Sequence, residues 1–297
     1  MKFELKKSHI AAAIALALSG AAFTAAHAAV TITDGAGTSA RIADAGYFAS
    51  GGLGLSYLGK EFVNWDTEAS NYTLTVGGVK VGGASADEVF GSNPLGASVV
   101  GPLFGGTTSI SANFGDPNGV KWNIFETVRV SSPGHVLVQV NLTNIGTTIA
   151  KDVEWSVGID PDQGRNSLPN GPGNWTHNVI NATGFGSSVS ATSLDGLSLT
   201  LANVTGGTAV GVASYIDTAC CSPVTASTIF GAGQAAGYFS DGDYSINLGY
   251  QLSDIAPGYS SSIAYEYIMA VPEPETYAML LAGLGLIGFS ARRRVAV

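Results

Sequence analysis

The stretch GHVLVQVNLTNIG, residues 134–146, indicates most clearly which fold the chain adopts. Its apolar side chains recur at every second position, from Val136 through Val138 and Val140 to Leu142, and mostly polar residues fill the positions between them. Successive side chains of a β-strand point to opposite faces, whereas an amphipathic helix needs apolar residues at intervals of three and four. The stretch therefore predicts a strand with one face in a core and the other in water.

The same alternation returns along the chain, in segments separated by turn-forming residues such as SPGH, SDGD and APGY. It is found in NYTLTVGGVKVGG (71–83), KDVEWSVGID (151–160), DGLSLTLANV (195–204) and SSIAYEYIMAV (261–271). In the first of these, Gly77 and Gly78 between two apolar runs predict a tight hairpin. Many short strands with frequent turns predict an all-β fold, a single large antiparallel β-sandwich. The best candidate for a short helix is SADEVFG, residues 85–91.

The composition favours such a sandwich and argues against nucleic acid as a partner. Charged residues make up only 12% of the chain and apolar residues 45%. Residues 29–271 hold 7 Lys+Arg against 19 Asp+Glu, a net charge of −12. A chain without a basic stripe has nothing with which to neutralise phosphates, so we expect no nucleic-acid binding. The thinly spread acidic charge predicts a solubilising surface.

The first 28 residues have the pattern of a secretory signal peptide. Three lysines precede an apolar run from Ile10 to Phe23, and the small-residue motif AHA follows. This order of charge, apolar run and small residues predicts export and cleavage after Ala28. A membrane anchor is the alternative, which the short, alanine-rich run and the A-x-A site disfavour.

The last 27 residues, VPEPETYAMLLAGLGLIGFSARRRVAV, combine Pro-Glu-Pro, an apolar run of thirteen residues (277–289) and three arginines. Thirteen helical residues rise about 20 Å, which is short of a hydrocarbon core of about 30 Å, so a conventional membrane span is disfavoured. GLGLIG, residues 283–288, has the glycine spacing of a dinucleotide-binding loop but lacks the preceding strand. A sorting signal uses all three parts, because the apolar segment pauses in the inner membrane and the arginines stay on its cytoplasmic side.

This tail resembles the PEP-CTERM sorting signal of exported proteins from Gram-negative bacteria that make exopolysaccharide. The resemblance covers about a tenth of the chain and rests on Pro272, Glu273 and Pro274, the apolar segment, and Arg292, Arg293 and Arg294. It implies transient residence in the inner membrane, cleavage near Pro-Glu-Pro by an exosortase, and delivery to the cell surface or extracellular matrix. The chain then divides into a signal peptide (1–28), a β-sandwich ectodomain (29–271) and a sorting signal (272–297).

The two cysteines of the chain, Cys220 and Cys221, are adjacent. Unpaired thiols rarely persist in an oxidising compartment, so an exported protein favours a disulfide between them. Such a bond closes a strained ring, and two buried thiols or bonds to another chain remain as alternatives.

The loop GIDPDQGRNS, residues 158–167, is the candidate for metal binding. Asp160, Asp162 and Asn166 offer oxygen ligands at close spacing, and Gly164 permits a sharp turn. Ca²⁺ takes six to eight oxygens, so the loop would need ligands from elsewhere in the chain. A plain Asp-Pro turn after a strand is the alternative. The plain turn is the favoured interpretation, so the sequence predicts no cofactor, with calcium as the alternative.

No catalytic residue can be assigned from the sequence. His135 and His177, the histidines of residues 29–271, lie in none of the usual metal or nucleophile motifs. A glycosidase needs two acids about 5–10 Å apart, and any acidic β-protein offers candidates, here Asp87, Glu88, Glu126, Asp160, Asp162 and Glu266. Glu126 and Glu266 alternate with apolar residues, which predicts that both face the solvent.

Aromatic side chains provide the remaining indication of function. Trp155 alternates with apolar residues and is expected in the core, whereas Trp175, in a loop rich in glycine and proline, and Trp122 are candidate contacts for a glycan. The first hypothesis is a non-enzymatic exported protein associated with exopolysaccharide. The alternative is a carbohydrate-active enzyme, a glycoside hydrolase or lyase, on the same scaffold. Two convergent buried acids in an aromatic-lined groove would favour the enzyme.

Overall fold

The computed structural model describes residues 30–43, 46–48, 54–63, 70–84, 89–90, 98–103, 107–115, 121–163, 175–204, 209–219, 222–272, 281–284 and 286–287. These residues form nineteen strands: β1 (Val30–Thr33), β2 (Thr38–Ile42), β3 (Leu55–Tyr57), β4 (Lys60–Val63), β5 (Ser70–Val76), β6 (Val79–Ala84), β7 (Val89–Phe90), β8 (Ser98–Leu103), β9 (Thr107–Gly115), β10 (Lys121–Ser132), β11 (His135–Asn144), β12 (Ala150–Ile159), β13 (Thr176–Ala182), β14 (Ser188–Ser193), β15 (Ser198–Asn203), β16 (Gly211–Asp217), β17 (Phe239–Gly242), β18 (Ser245–Ile255) and β19 (Ser260–Ala270).

The strands form three antiparallel sheets. The largest has nine strands in the order β17-β13-β14-β15-β19-β11-β10-β9-β8, and the second has six in the order β16-β18-β12-β5-β6-β7. The inner faces of these two sheets enclose one apolar core. The third sheet, β1-β2-β3-β4, is built from the N-terminal part of the described chain. The predicted antiparallel β-sandwich is confirmed.

The alternation in residues 134–146 produces strand β11 as the sequence predicts. Val136, Val138, Val140 and Leu142 are all buried, whereas Gln139 is exposed. The strand lies between β10 and β19 near the middle of the nine-stranded sheet. Its apolar face therefore contributes to the centre of the core, where burial of each large aliphatic side chain stabilises the fold by about 1.5–3 kcal/mol.

The hairpin predicted at two consecutive glycines joins β5 to β6. Val76 pairs with Val79, and Gly77 and Gly78 have φ angles of 57° and 77°. A two-residue turn with both φ angles positive matches the twist of the flanking strands, and glycine adopts it without steric cost.

The four-stranded sheet contacts the nine-stranded sheet, and Phe48, which follows β2 in the chain, contacts both large sheets. The amide of Phe48 donates a hydrogen bond of 2.7 Å to Oγ of Ser70 on β5, and the Phe48 ring meets Tyr267 of β19 edge to face at 5.1 Å. The amide of Gly134 donates to Oγ1 of Thr38 at 2.8 Å. The N-terminal sheet therefore covers the end of the sandwich at which β19 finishes.

The helix α1 (Ala226–Ala232) packs on the outer face of the six-stranded sheet, where Ala226 and Ile229 lie against Gly249 of β18. The hydroxyl of Thr225 accepts a hydrogen bond from the amide of Thr228, and Gly233 ends the helix in the left-handed conformation. The helix suggested for residues 85–91 is wrong where it can be compared, because Val89–Phe90 form strand β7, paired with β6. The helices among the described residues are all too short, or too polar, to cross a membrane.

Candidate functional site

Three aspartates converge where β12 ends and β18 begins. Asp160 and Asp162 follow β12, and Asp243 lies in the turn between β17 and β18. One carboxylate oxygen from each residue lies within 4.8 Å of the other two. Asp160 and Asp162 are buried, with 5% and 3% of their surfaces exposed, and Asp243 is half-buried. We call these three residues the aspartate cluster.

The sheet topology explains why these residues meet. Strands β12 and β18 are antiparallel neighbours, and Ile159 is paired with Ile246. The residues after Ile159 and the residues before Ile246 therefore lie at the same end of these two strands. Asp243 was absent from the sequence-based ligand set, because its place beside Asp160 depends on this pairing across some eighty positions. The only local signal for Asp243 was the SDGD turn that contains it. Asn166, the third ligand predicted from the sequence, lies outside the described residues.

The chemistry of the cluster suits a hard divalent cation. Carboxylates in close contact and largely out of water repel one another unless a proton or a cation compensates their charge. Carboxylate oxygens are the ligands that Ca²⁺ and Mg²⁺ prefer. Next in the chain, Gln163 is buried and donates from its amide nitrogen to the carbonyl of Ala191 at 2.8 Å, which fastens the loop to β14. The side-chain oxygen of Gln163 has no hydrogen-bond partner among the described residues.

Exposed aromatic side chains lie along the edge of the nine-stranded sheet next to this cluster. Strand β17 is the outermost strand there, and it pairs with β13. The rings of His177 on β13 and Phe239 on β17 are 5.5 Å apart between centroids. Phe239 is 60% exposed and Trp175, just before β13, is 47% exposed. We call Trp175, His177 and Phe239 the aromatic edge.

A hydrogen bond between strands fixes the histidine of this edge. Nδ1 of His177 lies 2.5 Å from Oδ1 of Asp241, which is its direct partner in the register of β13 and β17. Both side chains are about half exposed. On the buried side, Oγ1 of Thr176 donates to the carbonyl of Gly242, and Asp243 comes next in the chain. The aromatic edge and the aspartate cluster are therefore joined through the Thr176–Gly242 pair.

The structure separates the two tryptophans proposed as glycan contacts. Trp175 is exposed, as the loop composition indicated. Trp122 is fully buried on β10, in phase with the core residues Ile124 and Val128. Its ring is therefore inaccessible to a ligand at the surface, and the prediction that it contacts a glycan is wrong. Trp155 is buried as predicted and stacks on Tyr72, with centroids 4.7 Å apart.

The prediction that Glu126 faces the solvent is wrong. Glu126 has the same phase on β10 as Ile124 and Val128, so it points into the sandwich and is 3% exposed. It lines a cavity of about 10 Å³, with Tyr47, Tyr72, Tyr265 and Tyr267 among the other walls. Burial raises the pKa of Glu126 to about 8, and burial together with this carboxylate raises the pKa values of Tyr265 and Tyr267. Glu266, the other acid in this prediction, is largely but not fully buried and bonds to Ser131 and His135.

The Glu126 cavity is too small for a carbohydrate. Ten cubic ångströms is about the least volume that holds one water molecule, whereas ligand pockets measure about 300–1,000 Å³. The pKa of Glu126 is raised, as that of a catalytic acid often is. The small cavity nevertheless gives a sugar no access to this carboxyl group.

Several predicted site residues lie outside the described residues. They are Ala28, Cys220, Cys221, Asn166, Asp87, Glu88, Glu273, Pro274 and Arg292–Arg294. The first residue of the Pro-Glu-Pro motif, Pro272, is described and lies two residues beyond the end of β19.

Comparison with protein families identifies the tail. Residues 270–294 match the model of the PEP-CTERM protein-sorting motif. The fold and this motif together define the class: an exported β-sandwich protein that carries its own sorting signal. More particularly, the chain carries a PEP-CTERM motif, as its sequence indicated, which implies processing by an exosortase and sorting to the surface.

Comparison with solved structures concerns the fold alone. The GalM/aldose epimerase homologue from C. elegans aligns with 82% of this chain and 99% of its own, at 9% identity and a TM-score of 0.50. The heparan sulfate lyase HepC from Pedobacter heparinus aligns over 68% of this chain and 25% of its own, at 10% identity and a TM-score of 0.35. A search of curated proteins found no match to this sequence.

Proposed function

We propose that the exported body is a polysaccharide-binding protein of the cell surface or matrix that does not cleave its ligand, and that it binds at the aromatic edge. The observation that carries this proposal is the exposure of Trp175 and Phe239 beside His177 on the outermost strands of a sheet. Exposed aromatic rings grouped on one edge mark an interaction site more specifically than the fold does.

The chemistry of the edge fits a sugar chain. An aromatic ring can lie against the apolar C–H face of a pyranose, and its polar neighbours can bond to the hydroxyl groups around that face. His177 and Asp241 supply such groups between the two rings, and both are accessible to solvent. A strip along an edge strand, rather than a closed pocket, suits a long polymer that passes over the surface.

The aspartate cluster supplies a second element of this proposal. A calcium ion held by Asp160, Asp162 and Asp243 would tie the residues after β12 to the turn before β18. The sorting motif also agrees with the proposal, because the resemblance noted for the tail is to proteins of bacteria that make exopolysaccharide.

A carbohydrate-active enzyme is the second candidate function, and the burial of Asp160 and Asp162 beside an exposed tryptophan favours it. Three oxygens within 4.8 Å of one another are closer than the 5–10 Å that separates the two acids of a glycosidase. The spacing suits a shared cation better than an acid and a base on opposite sides of a bond. We therefore place the binding function first.

The proposal is tested by measuring retention of the protein on exopolysaccharide from the native organism. Phe239→Ser and Trp175→Ser each remove one ring from the aromatic edge, and each should weaken binding by roughly five-fold, about 1 kcal/mol. Tyr259→Ser is the matched control, because it also removes an exposed aromatic ring. Tyr259 is 70% exposed and lies just before β19, outside the aromatic edge. Equal losses for all three variants, or none, would contradict a site at the aromatic edge.

A further inference from the structure

The tether between the body and the apolar part of the sorting tail is short. Strand β19 ends at Ala270, and the apolar run begins at Tyr277, so six residues join them. A fully extended chain of six residues spans at most about 20 Å. Once the apolar run is in a bilayer, the end of the sandwich at Ala270 cannot move far from the membrane surface.

Part of this tether already lies on the body. Val271 packs against the core, and Pro272 lies on the turn between β14 and β15. A Cβ atom on Gly196 of that turn would be 2.9 Å from Cγ of Pro272. The free length of the tether is therefore shorter than six residues.

Exposed apolar side chains from three separate turns surround this point. Leu194, in the same turn as Gly196, is 72% exposed. Trp175 lies near this turn, because the next residue, Thr176, is paired with Ser193. Leu58 is 56% exposed and follows Tyr57. The Tyr57 ring lies 3.2 Å from where a Cβ on Gly134 would be, and the carbonyl of Gly134 accepts a hydrogen bond from the amide of Met269. We call Leu58, Trp175, Leu194 and Pro272 the tail-side end.

We propose that the tail-side end rests on the phospholipid surface of the inner membrane until the tail is cut. The inference rests on entry of the apolar run into that membrane. Leucine side chains gain from contact with the acyl boundary, and tryptophan favours the membrane–water interface. The side chains of Leu58, Trp175 and Leu194 bind a bilayer weakly by themselves. The tether keeps them close to the membrane, which gives them a high effective concentration there. Cleavage near Pro-Glu-Pro removes the tether, so the body leaves and Trp175 becomes available to polysaccharide.

Quenching of tryptophan fluorescence by brominated lipids measures this contact directly. The full-length chain is incorporated into phosphatidylcholine vesicles with bromine on the upper part of the acyl chain, and its emission is compared with that of Trp175→Phe. The difference isolates Trp175 from the other tryptophans. The reference is Tyr259→Trp in the Trp175→Phe background, which puts a tryptophan some 30 Å away at the far end of the eleven-residue β19.

We expect brominated lipid to reduce the Trp175 emission at least two-fold and to leave the reference unchanged. Leu194→Asp should lessen the quenching of Trp175, because a charge on this surface opposes contact with lipid. Flotation of the vesicles is measured on the same samples. Flotation with equal quenching at residues 175 and 259 overturns the inference and leaves the sorting signal intact. Failure of the chain to float overturns both this inference and the insertion of the tail.

Discussion

The carboxylate of Glu126 lies directly against the backbone of Gly46. A Cβ atom on Gly46 would be 3.2 Å from Oε2 and 3.5 Å from Oε1 of the buried acid, and Gly46 has a φ angle of 92° that few other residues adopt. Residues 46–48, which follow β2, thus line the small cavity around a carboxyl group whose burial raises its pKa to about 8. A titratable group in this position makes the stability of the fold depend on pH.

Glu126→Gln should reduce that dependence. The folded state holds a proton on Glu126 up to about pH 8, whereas the unfolded chain releases it above about pH 4.5. Between these values the stability contributed by this group is lost as pH rises, at about 1.4 kcal/mol per pH unit. Denaturant unfolding from pH 5 to 9 should therefore show that the free energy of unfolding of the variant, relative to that of the wild type, increases up to about pH 8. A constant difference across this range would contradict the burial of an acid there.

Calcium should stabilise the folded body through the aspartate cluster. If Kd lies in the 10⁻⁴–10⁻³ M range of extracellular calcium sites, 10 mM Ca²⁺ adds about 1.4–2.7 kcal/mol, which raises the Tm by roughly 3–10 °C. Asp243→Asn should abolish the shift, because it removes one of the three carboxylate ligands.

The matched control for this measurement is Asp152→Asn. Asp152 is exposed, and its φ angle of 46° lies in the left-handed region that asparagine tolerates. The calcium shift should survive this change. An equal shift in Asp152→Asn and Asp243→Asn would show that calcium acts by screening of surface charge and not at a site.

Gly158→Ala should destabilise the six-stranded sheet. A Cβ at this position would lie 2.1 Å from Oδ1 of Asn247 and 3.0 Å from Oδ1 of Asn71. The Asn247 amide is held by two hydrogen bonds to Ser245, so it cannot simply turn away. We expect a loss of about 1–3 kcal/mol in the free energy of unfolding.

Gly231→Ala provides the contrast, because a Cβ there meets nothing within 4 Å and the residue lies in helix α1. Alanine favours a helix over glycine by up to about 1 kcal/mol, so this variant should be more stable than the wild type. Similar losses for the two variants would count against the packing described around Gly158.

Processing should depend on the Pro-Glu-Pro motif. Protein recovered from the native surface should begin near Ala29 and lack Arg292–Arg294, as intact mass would show. Pro272→Ala combined with Pro274→Ala should leave an uncut form in the inner membrane. Normal surface delivery of that double variant would contradict the role given to the motif.

The alternation of side chains was enough to predict the strands, because burial of one face requires period two whatever the strand pairs with. It was not enough to place Asp243, whose neighbours are set by sheet pairing far along the chain. Glu126 was assigned to the wrong face although its phase matches that of Ile124 and Val128, because acids were expected in water. Helix α1 was missed because seven residues carry too little periodicity, and Thr225 and Gly233 were its available signals.

The proposed function is tested most directly by incubating the mature body with exopolysaccharide from the native organism and measuring retention and polymer chain length in the same sample. The account predicts retention that falls when Phe239 is replaced, with no change in chain length and no new reducing ends or unsaturated products. Shortening of the polymer that is abolished by Asp160→Asn or Asp162→Asn would show an enzyme, and would contradict the account.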